Sequence, residues 1–178
     1  MEEQELAQRC ARGDRRAREE LYRRYSSRLF ALCLRYCQNR PSAEDSLQDA
    51  FIKIYEKAWQ FRWQGPGSLW SWMAKVTLNL IFDKKRKKSF QQADASLLEN
   101  IPSEDPEYSQ VTAIPSEKLA EMIEALPDRY RTVFQLFCVD GLPHKEIAKL
   151  LGIKEKSSSA DLARAKAILA KEIKKLLV

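Results

Sequence analysis

The feature that most constrains this chain is a break in its charge and its helical pattern between Ser89 and Pro115. Residues 89–117 hold no lysine or arginine and six acids, a net of −6. Three prolines (Pro102, Pro106 and Pro115) fall in the same stretch, and few apolar side chains do. Such a segment cannot bury enough surface to fold, so it reads as an acidic flexible linker over residues 89–115. Its 27 residues reach about 90 Å when fully extended and about 30 Å as a free coil. The flanks are of opposite sign. Residues 1–88 carry 19 Lys/Arg against 11 Asp/Glu, and residues 118–178 carry 12 against 8. A basic, acidic, basic chain points to two nucleic-acid-facing modules, or else to solvated surfaces of uneven charge.

On either side of the break the apolar residues recur with helical spacing. A short helix is expected near residues 3–12, ending at Gly13. Leu21, Tyr25, Leu29, Leu32 and Tyr36 place a second helix over 17–37. Arg40-Pro41-Ser42 ends it, and Pro41 can open the next one, over 42–59. Gly65-Pro66-Gly67 marks a loop, with Ser68 as a candidate N-cap for a helix running to about Lys85. Beyond the linker, Leu119, Ile123 and Leu126 restart the pattern. It breaks at Pro127 and resumes with Tyr130, Val133, Phe134 and Phe137. No period-two alternation is long enough for a sheet. The expected fold class is all-α, in two small helical domains.

No apolar run approaches the roughly 20 residues that span a bilayer, and MEEQELAQRC lacks a signal-peptide core, so a cytoplasmic location without membrane insertion is expected. Cys10, Cys33, Cys37 and Cys138 match no zinc spacing, and His144 is the one histidine. The reading therefore includes no metal, no cofactor and no small-molecule substrate. Cys33 and Cys37, one turn apart in an apolar pattern, read as reduced core residues.

The segment LPHKEIAKLLGIKEKSSSADLARAKAIL has the layout of a helix-turn-helix. Pro143 suits a first helical turn, Ile147, Leu150 and Leu151 form a buried face, and Ala148 is small where helices cross. Gly152 permits the tight turn, after which Ile153 packs inward. Leu162, Ala165, Leu169 and Ile173 then line one side of a second helix. Its outward side is expected to carry Ser157, Ser158, Ser159 and Asp161, followed by Arg164 and Lys166. Short polar side chains can reach base edges and basic ones phosphates. A plain helical hairpin with solvated lysines has the same pattern.

Two further segments need explanation. On the helix over 42–59, Leu47, Ala50, Phe51, Ile54 and Ala58 share one side. Ile52, Tyr55 and Trp59 form a second stripe a quarter turn away, bordered by Asp45, Asp49 and Glu56. One stripe suffices to join a small core. The other is either covered by a neighbouring helix or is a docking surface for a basic protein. In WQFRWQGPGSLWSW, four tryptophans and a phenylalanine crowd a glycine-containing loop beside Arg62. Such side chains can pocket unpaired bases, or can be core. Trp72, in phase with Leu69, Val76 and Leu80, reads as core, and Asn79 as either a buried amide or a base reader. The cluster from Lys84 to Lys88 has a second explanation in the helix dipole.

Taken in order, these segments resemble a bacterial RNA polymerase sigma factor of the extracytoplasmic-function group. AEDSLQDAFIKIYEKA resembles the family's polymerase-binding helix, QFRWQGPGS its base-capturing loop, and LWSWMAKVTLNLIFDKKRKK the helix after it. ALPDRYRTVFQLFCVDGLPHKEIAKLLGI and the helix that follows resemble its minus-thirty-five module. The resemblance implies a region-2 domain over 1–88, the linker over 89–115 and a region-4 domain over 116–178. Its partners are core RNA polymerase and promoter DNA, with an anti-sigma factor as an open further partner. The minus-ten candidates are Phe61, Arg62, Trp63, Asn79, Lys84 and Arg86; those for the minus-thirty-five element are Ser157, Ser158, Ser159, Asp161, Arg164 and Lys166. Asp45, Gln48, Asp49, Phe51, Ile52 and Tyr55 are the polymerase-binding candidates. The acidic linker resembles the segment that enters the RNA path, where negative charge imitates a transcript.

One run departs from the family. Where a Thr-Val-Lys/Arg-Ser-Arg type of sequence is usual, this chain has Ser157-Ser158-Ser159-Ala160-Asp161. Asp161 either accepts from a cytosine amine or completes a capping box with Ser158. Two other function classes compete with the sigma reading. A helix-turn-helix repressor explains residues 141–175 but neither the aromatic loop nor the second stripe. An enzyme, such as a helical nucleic-acid hydrolase, lacks a completed site: Asp45 and Asp49 lie one turn apart, but no histidine or further carboxylate completes a metal site with them.

Overall fold

The structure is a computed structural model that describes residues 1–89 and 114–176. It divides after Gln92 into two compact units, and the described residues of both are helical with no strand. The expected linker lies outside the described residues, apart from its ends.

In the N-terminal unit, α1 (Glu3–Ala11) leads through Gly13 into α2 (Arg15–Tyr36). Asp14 starts α2 by accepting a hydrogen bond from the Ala17 amide at 3.0 Å. Asn39 does the same for α3 (Arg40–Lys57), accepting from the Ser42 amide at 2.9 Å, with Pro41 in the first turn where no amide is needed. A 3₁₀ turn, Ala58–Gln60, hands the chain to the loop before α4 (Ser68–Ser89). Helices α2, α3 and α4 pack on one another, and α1 lies against α2. Leu6, Leu21, Leu29, Cys33, Ile54 and Met73 are among the fully buried side chains.

Ser68 differs from its expected role. It is the first residue of α4, its hydroxyl donating to the Gly65 carbonyl at 2.6 Å and accepting from the Gln64 amide at 3.3 Å. The serine thus closes the loop that precedes the helix. Trp72 is half-buried, because α4 turns Leu69, Met73, Thr77, Leu78, Ile81 and Phe82 inward.

In the C-terminal unit, α5 (Ser116–Glu124) and α6 (Asp128–Phe134) precede a widened π turn, Gln135–Val139. Then come α7 (His144–Leu151) and α8 (Glu155–Leu176). The π turn inserts an extra residue and shifts the register. Gln135 and Leu136 stay buried, while Phe137, expected in the apolar pattern, is exposed and stacks on His144 at 4.5 Å. Pro143 sits one residue before α7, as its N-cap. Met122, Leu126, Ala165, Leu169 and Ile173 form the core where α5 and α8 meet, with Tyr130 and Phe134 packed against it. Leu151 and Ile153 are only half-buried.

Gly152 closes α7 in the left-handed conformation, φ 70° and ψ 33°, with its amide and that of Ile153 both donating to the Ala148 carbonyl. A side chain there costs about 1–2 kcal/mol. Gly152→Ala is therefore expected to lower the stability of the C-terminal unit by that amount in urea denaturation followed by circular dichroism. An unchanged midpoint would contradict this turn geometry.

Candidate nucleic-acid and polymerase interfaces

Helix α3 presents a mixed outer face. Asp45 and Gln48 are exposed, Ile52 is 56% exposed, and Asp49 accepts an ion pair from Lys84 of α4. Two of the candidates on this helix face the other way. Phe51 is only 4% exposed, its ring tilted against Tyr22 at 4.7 Å. Tyr55 is half-buried, and its hydroxyl donates to the Arg18 carbonyl at 2.9 Å. Burial, and then the nearby Cys10, push the Tyr55 phenol up to about 12. The second stripe is therefore split, with Ile52 and Trp59 outside while α2 covers Tyr55. An aromatic that the sequence reading missed, Tyr22 of α2, is exposed beside Phe51. Its position one residue past Leu21, off the buried stripe, was the available signal.

The loop between α3 and α4 does not collapse into the core. Trp59, Phe61, Arg62 and Trp63 line one side of an open groove of about 370 Å³, whose other side is made by Gln4 and Gln8 of α1 and by Arg12 just past its end. Phe61 leans on Trp72 at 5.5 Å, and Arg62 donates to the carbonyls of Trp59 and Phe61 at 3.0 and 3.2 Å. Trp70 lies apart, in contact with the Tyr25 ring and with the Arg28 guanidinium, which sits 3.8 Å from its centroid. Asn79 is exposed, which excludes the buried-amide alternative. Like Lys84 and Arg86, it lies along α4 and not among the groove-lining residues. Lys84 is held by Asp49 and Arg86 by Asp83.

In the C-terminal unit two candidates turn inward. Ser158 is fully buried, its hydroxyl 2.9 Å from His144 Nδ1. Asp161 is 1% exposed and accepts from Arg129 Nε at 2.6 Å and from Arg164 Nη1 at 3.3 Å. The reason is helical spacing: continuing the stripe of Leu162, Ala165 and Leu169 back by one turn lands on Ser158 and Asp161. Helix α8 also starts at Glu155, so Ser158 lies inside it and no capping box forms there. Asp161 is neither a cap nor placed to meet a base; it is a buried anion between two arginines. Ser159 is exposed, and Ser157, Arg164 and Lys166 are half-buried. Arg129, which lies 32 residues from Asp161, had no local signal.

Burial raises the Cys10 thiol to about 11 and the Cys33 thiol to about 12. Among the described residues no three His, Cys, Asp or Glu side chains come together as a metal site. No described helix is long and apolar enough to cross a membrane.

Two family models match the chain: "Sigma-70 region 2" over residues 21–108 and "Sigma-70, region 4" over residues 116–169. The chain belongs to the extracytoplasmic-function group of bacterial RNA polymerase sigma factors. It is an alternative sigma factor, the class that directs RNA polymerase to promoters. It is similar to the ECF RNA polymerase sigma factor SigW of Bacillus subtilis, 29% identical with 93% of each chain covered. It also resembles SigE of Mycolicibacterium smegmatis, 28% identical over 76% of this chain, which spans about half (53%) of that relative. The fold is shared with CnrH, solved with the cytosolic domain of CnrY, at a TM-score of 0.54, 20% identity and 96% coverage of both chains. RpoE from Bartonella quintana, solved with the anti-sigma factor NepR, gives a TM-score of 0.53 at 18% identity, covering 88% of this chain and 96% of that one.

The sigma factor's recognition module thus hangs on a buried charge. Asp161→Asn removes a charge-assisted partner from both arginines and is expected to cost about 2 kcal/mol of stability in the C-terminal unit. Chemical denaturation of the full chain tests this, and a variant as stable as the wild type would show that the pairing is not maintained in solution.

Proposed function

We propose that this sigma factor divides its work between a region-2 domain over 1–88 and a region-4 domain over 116–178, joined by the acidic segment over 89–115. The outer face of α3, with Asp45, Gln48, Asp49 and Ile52, docks on core polymerase, and Tyr22 of α2 extends that face. Phe51 and Tyr55 support the face from inside. The aromatic groove takes an unpaired base of the minus-ten element through Phe61, Arg62 and Trp63. Asn79, Lys84 and Arg86 of α4 lie along the path of the same strand. In region 4, Ser157, Ser159, Arg164 and Lys166 meet the minus-thirty-five element, and Ser158 and Asp161 hold the helix that carries them. The protein acts in the bacterial cytoplasm without catalysing a reaction and without a cofactor or small-molecule substrate.

The observation that carries this reading is the open groove, about 370 Å³ in size, with one aromatic wall and two arginines in its lining. A repressor that reads only paired DNA has no use for such a groove. Stacking of an unpaired base on an aromatic ring is worth about 1–3 kcal/mol, enough to favour the opened strand once it forms. An anti-sigma factor fits as a partner because CnrH and the Bartonella RpoE were both solved with a second protein.

Ile52→Asp is expected to weaken core binding by about tenfold or more, the effect of placing a charge in an apolar contact, with an unchanged circular dichroism spectrum. Phe51→Ala, by contrast, should cost about 3–5 kcal/mol of stability as a core truncation. Pull-down on core polymerase beside thermal unfolding separates the two. Equal core binding by Ile52→Asp and wild type would remove α3 from the interface.

Phe61→Ala is expected to leave closed complexes intact and to reduce strand opening by about tenfold or more, through loss of stacking. Permanganate footprinting on a promoter found by transcription from a genomic library reads this directly. Opening at the wild-type level would make Phe61 structural only.

A further inference from the structure

Helix α1 precedes residue 21, where the region-2 match begins, yet it is built into the groove. Leu6, Ala7 and Cys10 are its buried side chains, and it packs on α2 and on the 3₁₀ turn before the aromatic loop. Gln4, Gln8 and Arg12 line the groove opposite Trp59, Phe61, Arg62 and Trp63. The helix is also tied to the loop at its far end. Glu3 Oε2 accepts the Gly67 amide at 2.9 Å, and Glu3 Oε1 accepts the Tyr25 hydroxyl at 3.2 Å. Gly67 holds φ 81°, a conformation that side chains rarely adopt. Burial and the facing Glu3 raise the Tyr25 phenol, so the tyrosine stays protonated and donates to the carboxylate.

A single carboxylate thus joins three segments that are distant in sequence. The loop's other bonds are mostly local, such as Phe61 to Ala58 and Ser68 to Gly65. Without Glu3, the far end of the loop would keep only these short-range ties. Gln4 and Gln8 each offer both a donor and an acceptor, which suits the edge of a base. Arg12 and Arg62 add positive charge to the lining, which suits the phosphates on either side of a base.

We propose that α1 is the second wall of the groove for an unpaired nucleobase, and that Glu3 is a positioning residue that sets the spacing between α1 and the aromatic loop. Gln4 and Gln8 contact the edge of the captured base, and Arg12 meets a neighbouring phosphate. The inference rests on the base-capture reading and adds to it: base preference at one position of the opened strand depends on a helix outside the matched region.

The test uses the full chain assembled with core polymerase and a duplex whose central unpaired bubble is randomised. Bound DNA is sequenced to give a base preference at each bubble position. Glu3→Ala is expected to keep core binding and helix content while losing about tenfold in discrimination at one position, the worth of one hydrogen bond to a charged group. Glu3→Gln retains an acceptor for the Gly67 amide and should recover most of that loss. Gln8→Ala, at an exposed position that leaves the tie intact, should lower preference at the same position. If the wild type shows no preference anywhere in the bubble, the base-capture reading fails and this inference falls with it. If the wild type discriminates and both Glu3→Ala and Gln8→Ala match it, base capture stands and α1 is a brace only. A loss spread evenly over all positions, or loss of core binding, would likewise overturn the positioning role.

Discussion

Helix α2 packs against α1, α3 and α4 along the N-terminal unit. Its stripe, from Ala17 and Leu21 to Leu32, Cys33 and Tyr36, is buried along its length. Because α1, α3 and α4 all lean on it, its rotation decides which side of each partner is left outside. A helix needs about a third of its surface to join a core, and the remainder is then available for contacts with other molecules. The exposed Ile52 with its acidic neighbours is the uncovered part of α3, and Asn79 belongs to the uncovered part of α4.

The same economy accounts for the aromatic loop. Trp70 packs on Tyr25 and Arg28, both from α2, and this anchors the start of α4. Phe61 leans on Trp72, and residues 59–63 meet α1 across an open groove. An aromatic cluster that is anchored on one side and open on the other keeps its shape without a ligand. A base entering it need not pay for ordering the walls.

Much of the helix layout was legible because it rests on local chemistry. Pro41 opens α3 and Gly152 closes α7, each for a reason contained in a few neighbouring residues. The π turn at Gln135–Val139 was not legible, since one inserted residue shifts every later position without a composition signal. The periodicity of α3 puts Phe51 on the buried stripe, where it lies, and the family resemblance alone makes it a docking candidate; Tyr55 belongs to the second stripe, a quarter turn away, and leans inward onto α2. Glu3 with Gly67 and Arg129 with Asp161 could not be read from spacing, because their separations of 64 and 32 residues leave no periodic trace. Ser158 and Asp161 were a different case. Their inward position follows from extending the stripe of α8 by one turn, but their polarity argued for the surface and was given more weight.

Asp161 also limits how this recognition helix can change over time. A buried carboxylate between two guanidinium groups is tolerable only while its partners remain. Replacing Asp161 by a basic residue, with Arg129 and Arg164 in place, would crowd like charges around a buried position. Replacing Arg129 alone would leave the anion with one long hydrogen bond, from Arg164 at 3.3 Å. Positions 129 and 161 are thus bound to vary as a pair across descendants of this chain, whatever promoter they come to read, and Ser157 and Ser159 are free of that constraint.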